Sequence, residues 1–172
     1  MAKVLLIIAQ KNFQEQEYAH TREKLEAGGH EVMVSSVEKG TCMGKLGREV
    51  QSQLSFKEAQ ANDFDGIVLI GGPGALKLLD YPELLDLIKN FATQDKIVSA
   101  ICIAPVILAA AGVLSGKRAT VFPDPEAQQN LLAAGAQGAF SEELVQDGKL
   151  ITANGPAAAY AFGEAIAKTL NV

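Results

Sequence analysis

The chain has 172 residues, of which 48% are hydrophobic, and these values suit one folded domain with a sizeable core rather than a disordered protein. Its formal net charge of −5, without a basic tract, argues against partners such as nucleic acid or an anionic membrane surface. No apolar run is long enough to cross a bilayer, and Met1-Ala2-Lys3 leads directly into an apolar segment, so we expect a cytoplasmic protein without a signal peptide.

Short apolar runs separated by turn residues predict the strands of a parallel sheet. These runs lack the alternation of half-buried strands and are typical of strands covered on both faces. In chain order, we predict strands over residues 3–9, 30–36, 66–70, 97–101, 119–122, 136–140 and 149–153, and a small hairpin over residues 40–54.

Helical segments lie between most of these strands. Pro105 and Pro125 fit the first turn of a helix, whereas Gly28 and Gly112 fit the position after the last turn. The predicted helices cover residues 14–27, 55–62, 81–93, 103–111, 124–134 and 155–170. This alternation predicts a doubly wound α/β fold with a parallel sheet, formed by residues 1–172 as a single domain.

Cys102 follows the predicted strand over residues 97–101 and precedes the helix that carries Pro105. This is the arrangement of a nucleophile elbow, with cysteine in place of the serine of Gly-x-Ser-x-Gly. A helix N-terminus there would favour thiolate over thiol, through its dipole and its unpaired N–H groups. The alternative is a buried core cysteine, because a free thiol behaves as a small hydrophobe.

The carboxyl ends of three predicted strands would meet at one crevice. They deliver Glu15 and Glu17, the glycine loop over residues 71–74, and Cys102. The loop lacks the spacing and the lysine of a phosphate-binding loop. The N–H groups of Gly72 and Ile103 could instead converge on a developing oxyanion, the alternative being a plain tight turn.

Glu17 is the predicted partner of Cys102. Two neighbouring negative charges would raise each other's pKa, so we expect a protonated Glu17 that donates a hydrogen bond to a low-pKa thiolate. The alternative is a surface glutamate matched to the helix dipole. His20, three residues later on the same helix face, is either an auxiliary acid or base or a surface residue.

The remaining cysteine and histidine carry weaker signals. We assign a structural role to His30 and a loop or interface position to Cys42. The chain has two cysteines and two histidines, without a Cys-x-x-Cys pair, so we expect no disulfide, no metal and no cofactor.

An early glutamate and a series of short motifs resemble a known family over essentially the whole chain. They are Glu17, Gly28-Gly29-His30-Glu31-Val32, Gly40-Thr41, Gly44-Lys45, Gly47, Phe64-Asp65, Leu69-Ile70-Gly71-Gly72, Ala100-Ile101-Cys102, Ala111-Gly112-Val113-Leu114-Ser115-Gly116, Asp147-Gly148 and Gly155-Pro156. The family is the ThiJ/PfpI superfamily. The resemblance implies a flavodoxin-like α/β sandwich, homodimers or higher homo-oligomers, and a cysteine thiolate that is hydrogen-bonded by protonated Glu17.

Three positions depart from the patterns of this family. Protease-like members carry histidine where this chain has Ile103, and deglycase-like members carry histidine and arginine where it has Phe122 and Asn154. A Cys–His peptidase needs an imidazole, so peptidase activity is disfavoured. Glyoxalase-type chemistry with Glu17 alone would be slow, because the loss of one general acid or base typically costs about 10²–10⁴-fold in rate.

Four functions therefore stay open. The first is a glyoxalase-like or deglycase-like enzyme that acts on methylglyoxal or its adducts through Cys102 and Glu17. The second is a redox or stress sensor in which Cys102 is oxidised to sulfinate. The third and fourth are a cysteine peptidase and a structural protein with a degenerate site. The apolar Ile103 and Phe122 predict a small, dry pocket that favours small carbonyl substrates over peptides.

Overall fold

The computed structural model describes residues 1–172 and centres on a seven-stranded sheet. The strands are β1 (Lys3–Ile7), β2 (Lys11–Phe13), β3 (Glu31–Ser36), β4 (Gly40–Gly44), β5 (Glu49–Ser52), β6 (Leu54–Ser55), β7 (Gly66–Leu69), β8 (Ile97–Ile101), β9 (Arg118–Ala119), β10 (Gln137–Gly138), β11 (Leu144–Asp147) and β12 (Leu150–Ala153). The helices are α1 (Glu15–Ala27), α2 (Pro82–Thr93), α3 (Pro105–Ala110), α4 (Pro125–Ala133) and α5 (Ala159–Leu170). None of these helices is long and apolar enough to cross a membrane.

The central sheet has the strand order β11-β12-β8-β7-β1-β3-β6. Every neighbouring pair is parallel except β11 and β12, which form an antiparallel hairpin at one edge. The inner strands β7, β8 and β12 are buried at every residue, as expected of strands with both faces covered. The predicted flavodoxin-like, doubly wound α/β fold with a mainly parallel sheet is thus confirmed.

Helices cover the sheet on both faces and form two apolar layers. Helices α2, α3 and α4 contribute to one layer, whereas α1 and α5 contribute to the other. His30 is buried on the α1 and α5 side, where its Nδ1 accepts the N–H of Ala2 at 3.2 Å and its Nε2 lies 3.1 Å from the carbonyl oxygen of Ala167. His30 therefore joins the first strand to the last helix, in agreement with a structural role.

Some predicted elements are shorter than expected. Residues 55–62 do not form an α-helix, because Ser55 pairs with β3 and its N–H donates to the Glu58 carboxylate at 3.0 Å. The predicted strand over residues 119–122 ends early, since the N–H of Phe122 turns to the carbonyl oxygen of Cys102 at 2.7 Å. The predicted strand over residues 136–140 is reduced to β10, which pairs with β9 outside the central sheet.

Two strands are absent from the sequence predictions. Strand β11 pairs with β12 across the turn at Gly148. Strand β2 pairs with β4, and β4 pairs with β5, so that the predicted hairpin becomes part of a three-stranded sheet. This small sheet matters for the site, because it brings the turn between β4 and β5 close to the start of α1.

Candidate active site

Cys102 occupies the sharp turn between β8 and α3 and has a φ of 64°. A residue with a side chain adopts this left-handed conformation only when the surrounding structure enforces it. Here the N–H of Cys102 donates to the carbonyl oxygen of Ala153 at 2.9 Å, and the carbonyl oxygen of Cys102 accepts the N–H of Phe122 at 2.7 Å. Two neighbouring segments therefore hold the backbone in the strained form that a nucleophile elbow requires.

The elbow opens into a cavity of about 450 Å³. Cys102 is largely buried, with 8% of its surface exposed, yet it lines this cavity. The volume lies in the range of small-molecule sites, so a small ligand has access to the thiol. The lining residues are Gln14, Lys45, Gly72, Pro73, Leu76, Cys102, Ile103, Phe122, Asp124, Glu126 and Pro156.

Glu17 lies in the first turn of α1 and is completely buried, with 0% of its surface exposed. Its Oε1 accepts the N–H of Gly71 at 2.9 Å, whereas Oε2 has no hydrogen-bond partner of ordinary geometry. Burial raises the pKa of Glu17 to about 7, against the lowering effects of the Gly71 N–H, the Cys102 thiol and the charge of Lys45. A carboxyl group with this pKa can both give and take a proton near neutral pH.

Gly71 allows Glu17 and Cys102 to meet. A Cβ atom at Gly71 would lie 2.7 Å from the Cβ of Cys102 and 2.8 Å from Oε1 of Glu17, so both side chains occupy the space that glycine leaves free. The structure thus brings together the two residues that the sequence predicts as partners. Glu15 has a different place, since its carboxylate accepts the N–H groups of Leu46 and Arg48.

The prediction of a low-pKa thiolate at Cys102 is wrong. Burial, followed by the charge and the hydrogen bond of Glu17, raises the pKa of Cys102 to about 12. The Ile103 N–H and the charge of Lys45 lower this pKa, but by less. Helix α3 has only six residues, so its dipole offers the sulfur little compensation for the loss of water. The two side chains therefore titrate as a coupled pair, in which burial and the neighbouring charge oppose the ionisation of the second group once the first is ionised.

Two backbone N–H groups near the thiol have no oxygen acceptor in the chain, although that of Ile103 also hydrogen-bonds the sulfur of Cys102. Those of Gly72 and Ile103 donate to no oxygen of the chain, and both residues line the cavity with Cys102. Gly72 has a φ of 114°, and a Cβ there would lie 2.5 Å from the backbone nitrogen of Gln14, so only glycine fits. The geometry is compatible with the predicted oxyanion site, whose catalytic use stays a prediction.

The other predicted candidates lie away from the cavity. His20 stacks on Tyr160 of α5, with ring centroids 3.9 Å apart and planes 8° apart, and does not line the cavity. Its predicted auxiliary role therefore has no support in the geometry. Cys42 is not a loop or interface thiol but an inward-facing residue of β4 with 0% exposure. No group of three or more His, Cys, Asp or Glu side chains is arranged to hold a metal ion.

The charged residues of the cavity wall have no clear signal in the sequence. Lys45 comes from the turn between β4 and β5, and Asp124 and Glu126 come from the start of α4. Gly44 and Gly47 mark a turn around Lys45, but the position of this turn depends on β2, which has no recognisable strand pattern. Asp124 caps α4, since its carboxylate accepts the N–H of Ala127 at 2.9 Å.

Known proteins with similar sequences and folds identify the family of this chain. The family model described as the DJ-1/PfpI family matches residues 2–169. A protein of Methanocaldococcus jannaschii is 40% identical over 98% of this chain and 82% of its own length, and a deglycase of Pyrococcus horikoshii is 32% identical over 98% of this chain and 99% of its own. The crystal structure of a ThiJ/PfpI domain protein from Brachyspira murdochii has a TM-score of 0.93 and 34% identity, covering 98% of this chain and 96% of that one. The chain therefore belongs to the DJ-1/PfpI family, as the resemblance of its motifs indicates.

Proposed function

We propose that the protein is an enzyme that acts on small carbonyl compounds such as methylglyoxal, or on their adducts, with Cys102 as the nucleophile and Glu17 as general base and acid. One observation carries the proposal: a cysteine in a strained elbow lines a cavity while it contacts a buried carboxyl group whose pKa is raised to about 7. A relative that is named a deglycase supports the same class of chemistry.

The first step forms a bond between the sulfur of Cys102 and the aldehyde carbon. The Glu17 carboxylate accepts the thiol proton as this bond forms, so that no free thiolate is needed. The N–H groups of Gly72 and Ile103 stabilise the negative charge that develops on the carbonyl oxygen. Glu17 then returns the proton to that oxygen, which gives a neutral hemithioacetal and restores the carboxylate.

The second step moves a proton between the two carbon atoms of the former dicarbonyl. Glu17 removes the proton from the carbon bonded to sulfur and delivers it to the neighbouring carbon, while the hydroxyl proton of the first carbon moves to the oxygen of the second. The first carbon is thereby oxidised to a thioester and the second is reduced to a secondary alcohol. Water then cleaves the resulting thioester and releases lactate and the thiol. The sum is methylglyoxal plus water giving lactate, which requires no external oxidant or reductant.

Activity towards methylglyoxal tests the proposal directly. Lactate formation, followed by nuclear magnetic resonance, is expected for the unaltered protein and should be lost in Cys102→Ala and strongly reduced in Glu17→Gln. Cys42→Ala and Glu26→Gln are matched controls, because they make the same chemical changes away from the cavity and should retain the activity. Equal lactate formation in the unaltered protein and in Cys102→Ala would exclude Cys102 as the nucleophile.

A redox sensor is the second candidate, favoured by the position of the sulfur in an accessible cavity. Peroxide would oxidise Cys102 first to sulfenate and then to sulfinate, with release of one water at each step. Cys42, with 0% exposure, is an internal control in the same molecule. A gain of two oxygen atoms at Cys102 alone, seen by mass spectrometry, would support the sensor, whereas oxidation at neither thiol would exclude it.

A peptidase has less support. The chain has two histidines, of which His30 joins β1 to α5 and His20 stacks on Tyr160, so no imidazole lines the cavity. The leaving amine of a peptide would therefore lack its usual proton donor. The homo-oligomer and the cytoplasmic location stay predictions, and light scattering of the purified protein will measure the number of subunits.

A further inference from the structure

Lys45 is the one cationic side chain that lines the Cys102 cavity. The ion pairs of the chain involve other residues, so the ammonium group of Lys45 has no partner carboxylate. The anionic groups around the same cavity are the Glu17–Cys102 pair and, from the start of α4, Asp124 and Glu126. An unpaired cation thus lines the same cavity as the thiol of this buried pair.

The backbone fixes the turn that carries Lys45. The N–H of Lys45 donates to the carbonyl oxygen of Phe13 at 2.9 Å, directly before the first turn of α1. Arg48, the other cation near this turn, lies over the ring of Tyr18 at 5.3 Å from its centroid and does not line the cavity. Of the two, only Lys45 is placed to act on the thiol.

Glu15 fills the inside of this turn. Its carboxylate accepts the N–H of Leu46 at 2.8 and 3.0 Å and the N–H of Arg48 at 3.1 Å. A Cβ atom at Gly44 would overlap the Glu15 carboxyl group, so the turn closes tightly around it. Glu15 therefore hydrogen-bonds Leu46, directly after Lys45, and packs against Gly44, directly before it.

We propose that Lys45 supplies the positive charge that stabilises the anionic form of the Glu17–Cys102 pair, and that Glu15 is the positioning residue that holds Lys45 at the cavity. The direction of the effect follows from the charges, because a cation lowers the pKa of both Glu17 and Cys102. Asp124 and Glu126 line the same cavity, and their charges have the opposite sign to that of Lys45. The inference concerns the reactivity of Cys102 and does not depend on methylglyoxal as the substrate.

Alkylation of Cys102 as a function of pH tests the role of Lys45. In Lys45→Gln the midpoint of the reaction with iodoacetamide should rise by roughly half a pH unit. The ratio of the rates with iodoacetate and iodoacetamide should fall about threefold, because the first reagent is anionic and the second is neutral. Lys39→Gln is the matched control, since Lys39 lies near Glu58 and away from the cavity, and it should change neither quantity. Identical behaviour of Lys45→Gln and Lys39→Gln would overturn the proposal.

Hydrogen exchange and alkylation together test the role of Glu15. In Glu15→Ala the amides of Leu46 and Arg48 should exchange faster, and the alkylation midpoint should rise as in Lys45→Gln. A protein that carries both Glu15→Ala and Lys45→Gln should have the same alkylation midpoint as Lys45→Gln alone, because Glu15 acts through Lys45. Should Glu15→Ala fail to fold, Glu15→Gln provides the same comparison with a smaller change. Faster exchange with an unchanged midpoint would show that Glu15 only stabilises the turn. Both tests use haloacetyl reagents, so a failure of the enzyme proposal leaves them interpretable.

Discussion

The carboxyl group of Glu17 and the Cβ of Cys102 both lie within 3 Å of the position that a side chain at Gly71 would take, at 2.8 and 2.7 Å respectively. The first residue belongs to α1 and the second to the elbow after β8, so the pair exists only where these elements meet the end of β7. The absence of a side chain at Gly71 is therefore a requirement of the site.

Substitution of Gly71 is expected to separate this pair. Gly71→Ala should destabilise the fold by about 1–3 kcal/mol, because the added methyl group overlaps two buried side chains and the carbonyl oxygen of Ile101. Urea unfolding measures the loss. Gly155→Ala is the control, since a Cβ there meets no atom within 4 Å, and it should be nearly neutral. Equal stability of the two variants would contradict the packing described at Gly71.

The raised pKa of Glu17 makes stability depend on pH. The folded protein holds this proton with a pKa of about 7, against an ordinary value of 4.5, so it binds the proton more tightly than the unfolded chain. The stabilising contribution is therefore full below pH 4.5 and is lost as the pH rises through about 7. The difference between these two pKa values corresponds to about 3 kcal/mol of unfolding free energy.

Glu17→Gln should remove this dependence. Between pH 4.5 and 8 the unaltered protein should lose about 3 kcal/mol of unfolding free energy relative to Glu17→Gln. The variant is therefore favoured at the higher pH. Glu26→Gln, on the exposed side of the same helix, should follow the unaltered protein across the range. Parallel curves for the unaltered protein and Glu17→Gln would show that the pKa of Glu17 is ordinary.

The left-handed backbone at Cys102 predicts an unusual order of stabilities. At most positions alanine is more favourable than glycine, but at a φ of 64° the Cβ of alanine is strained. Cys102→Gly should therefore be more stable than Cys102→Ala by about 1 kcal/mol. Thermal unfolding compares the two variants. A Cys102→Ala protein that is clearly the more stable would mean that the elbow relaxes once the thiol is removed.

The sequence predicts the parallel sheet and the elbow because each depends on local patterns. Continuous apolar runs reveal β1, β7 and β8, and Cys102 stands directly between a strand and a proline-led helix. The convergence of strand ends brings Glu15 and Glu17 alike to the crevice, and the family resemblance selects Glu17 as the partner of Cys102.

Other features depend on contacts that local patterns do not encode. The tripeptide of β2 gives no strand signal, so neither the three-stranded sheet nor the placement of Lys45 could be inferred. His20 has the spacing of a site residue, but its ring stacks on that of Tyr160, which is distant in sequence. The pKa of Cys102 differs from the predicted direction because α3 is shorter than predicted and burial of the sulfur dominates.

The pH dependence of Cys102 alkylation in the native protein, compared with that in Glu17→Gln, tests the central claim that the two side chains ionise as one unit. The account predicts a rate that rises through about pH 7 in the unaltered protein, where the pair loses its first proton. In Glu17→Gln, which lacks the proton acceptor, the rise should move to or above the ordinary thiol value of about 8.5. The same midpoint in both proteins, or a Cys102 that reacts only after unfolding, would contradict the account.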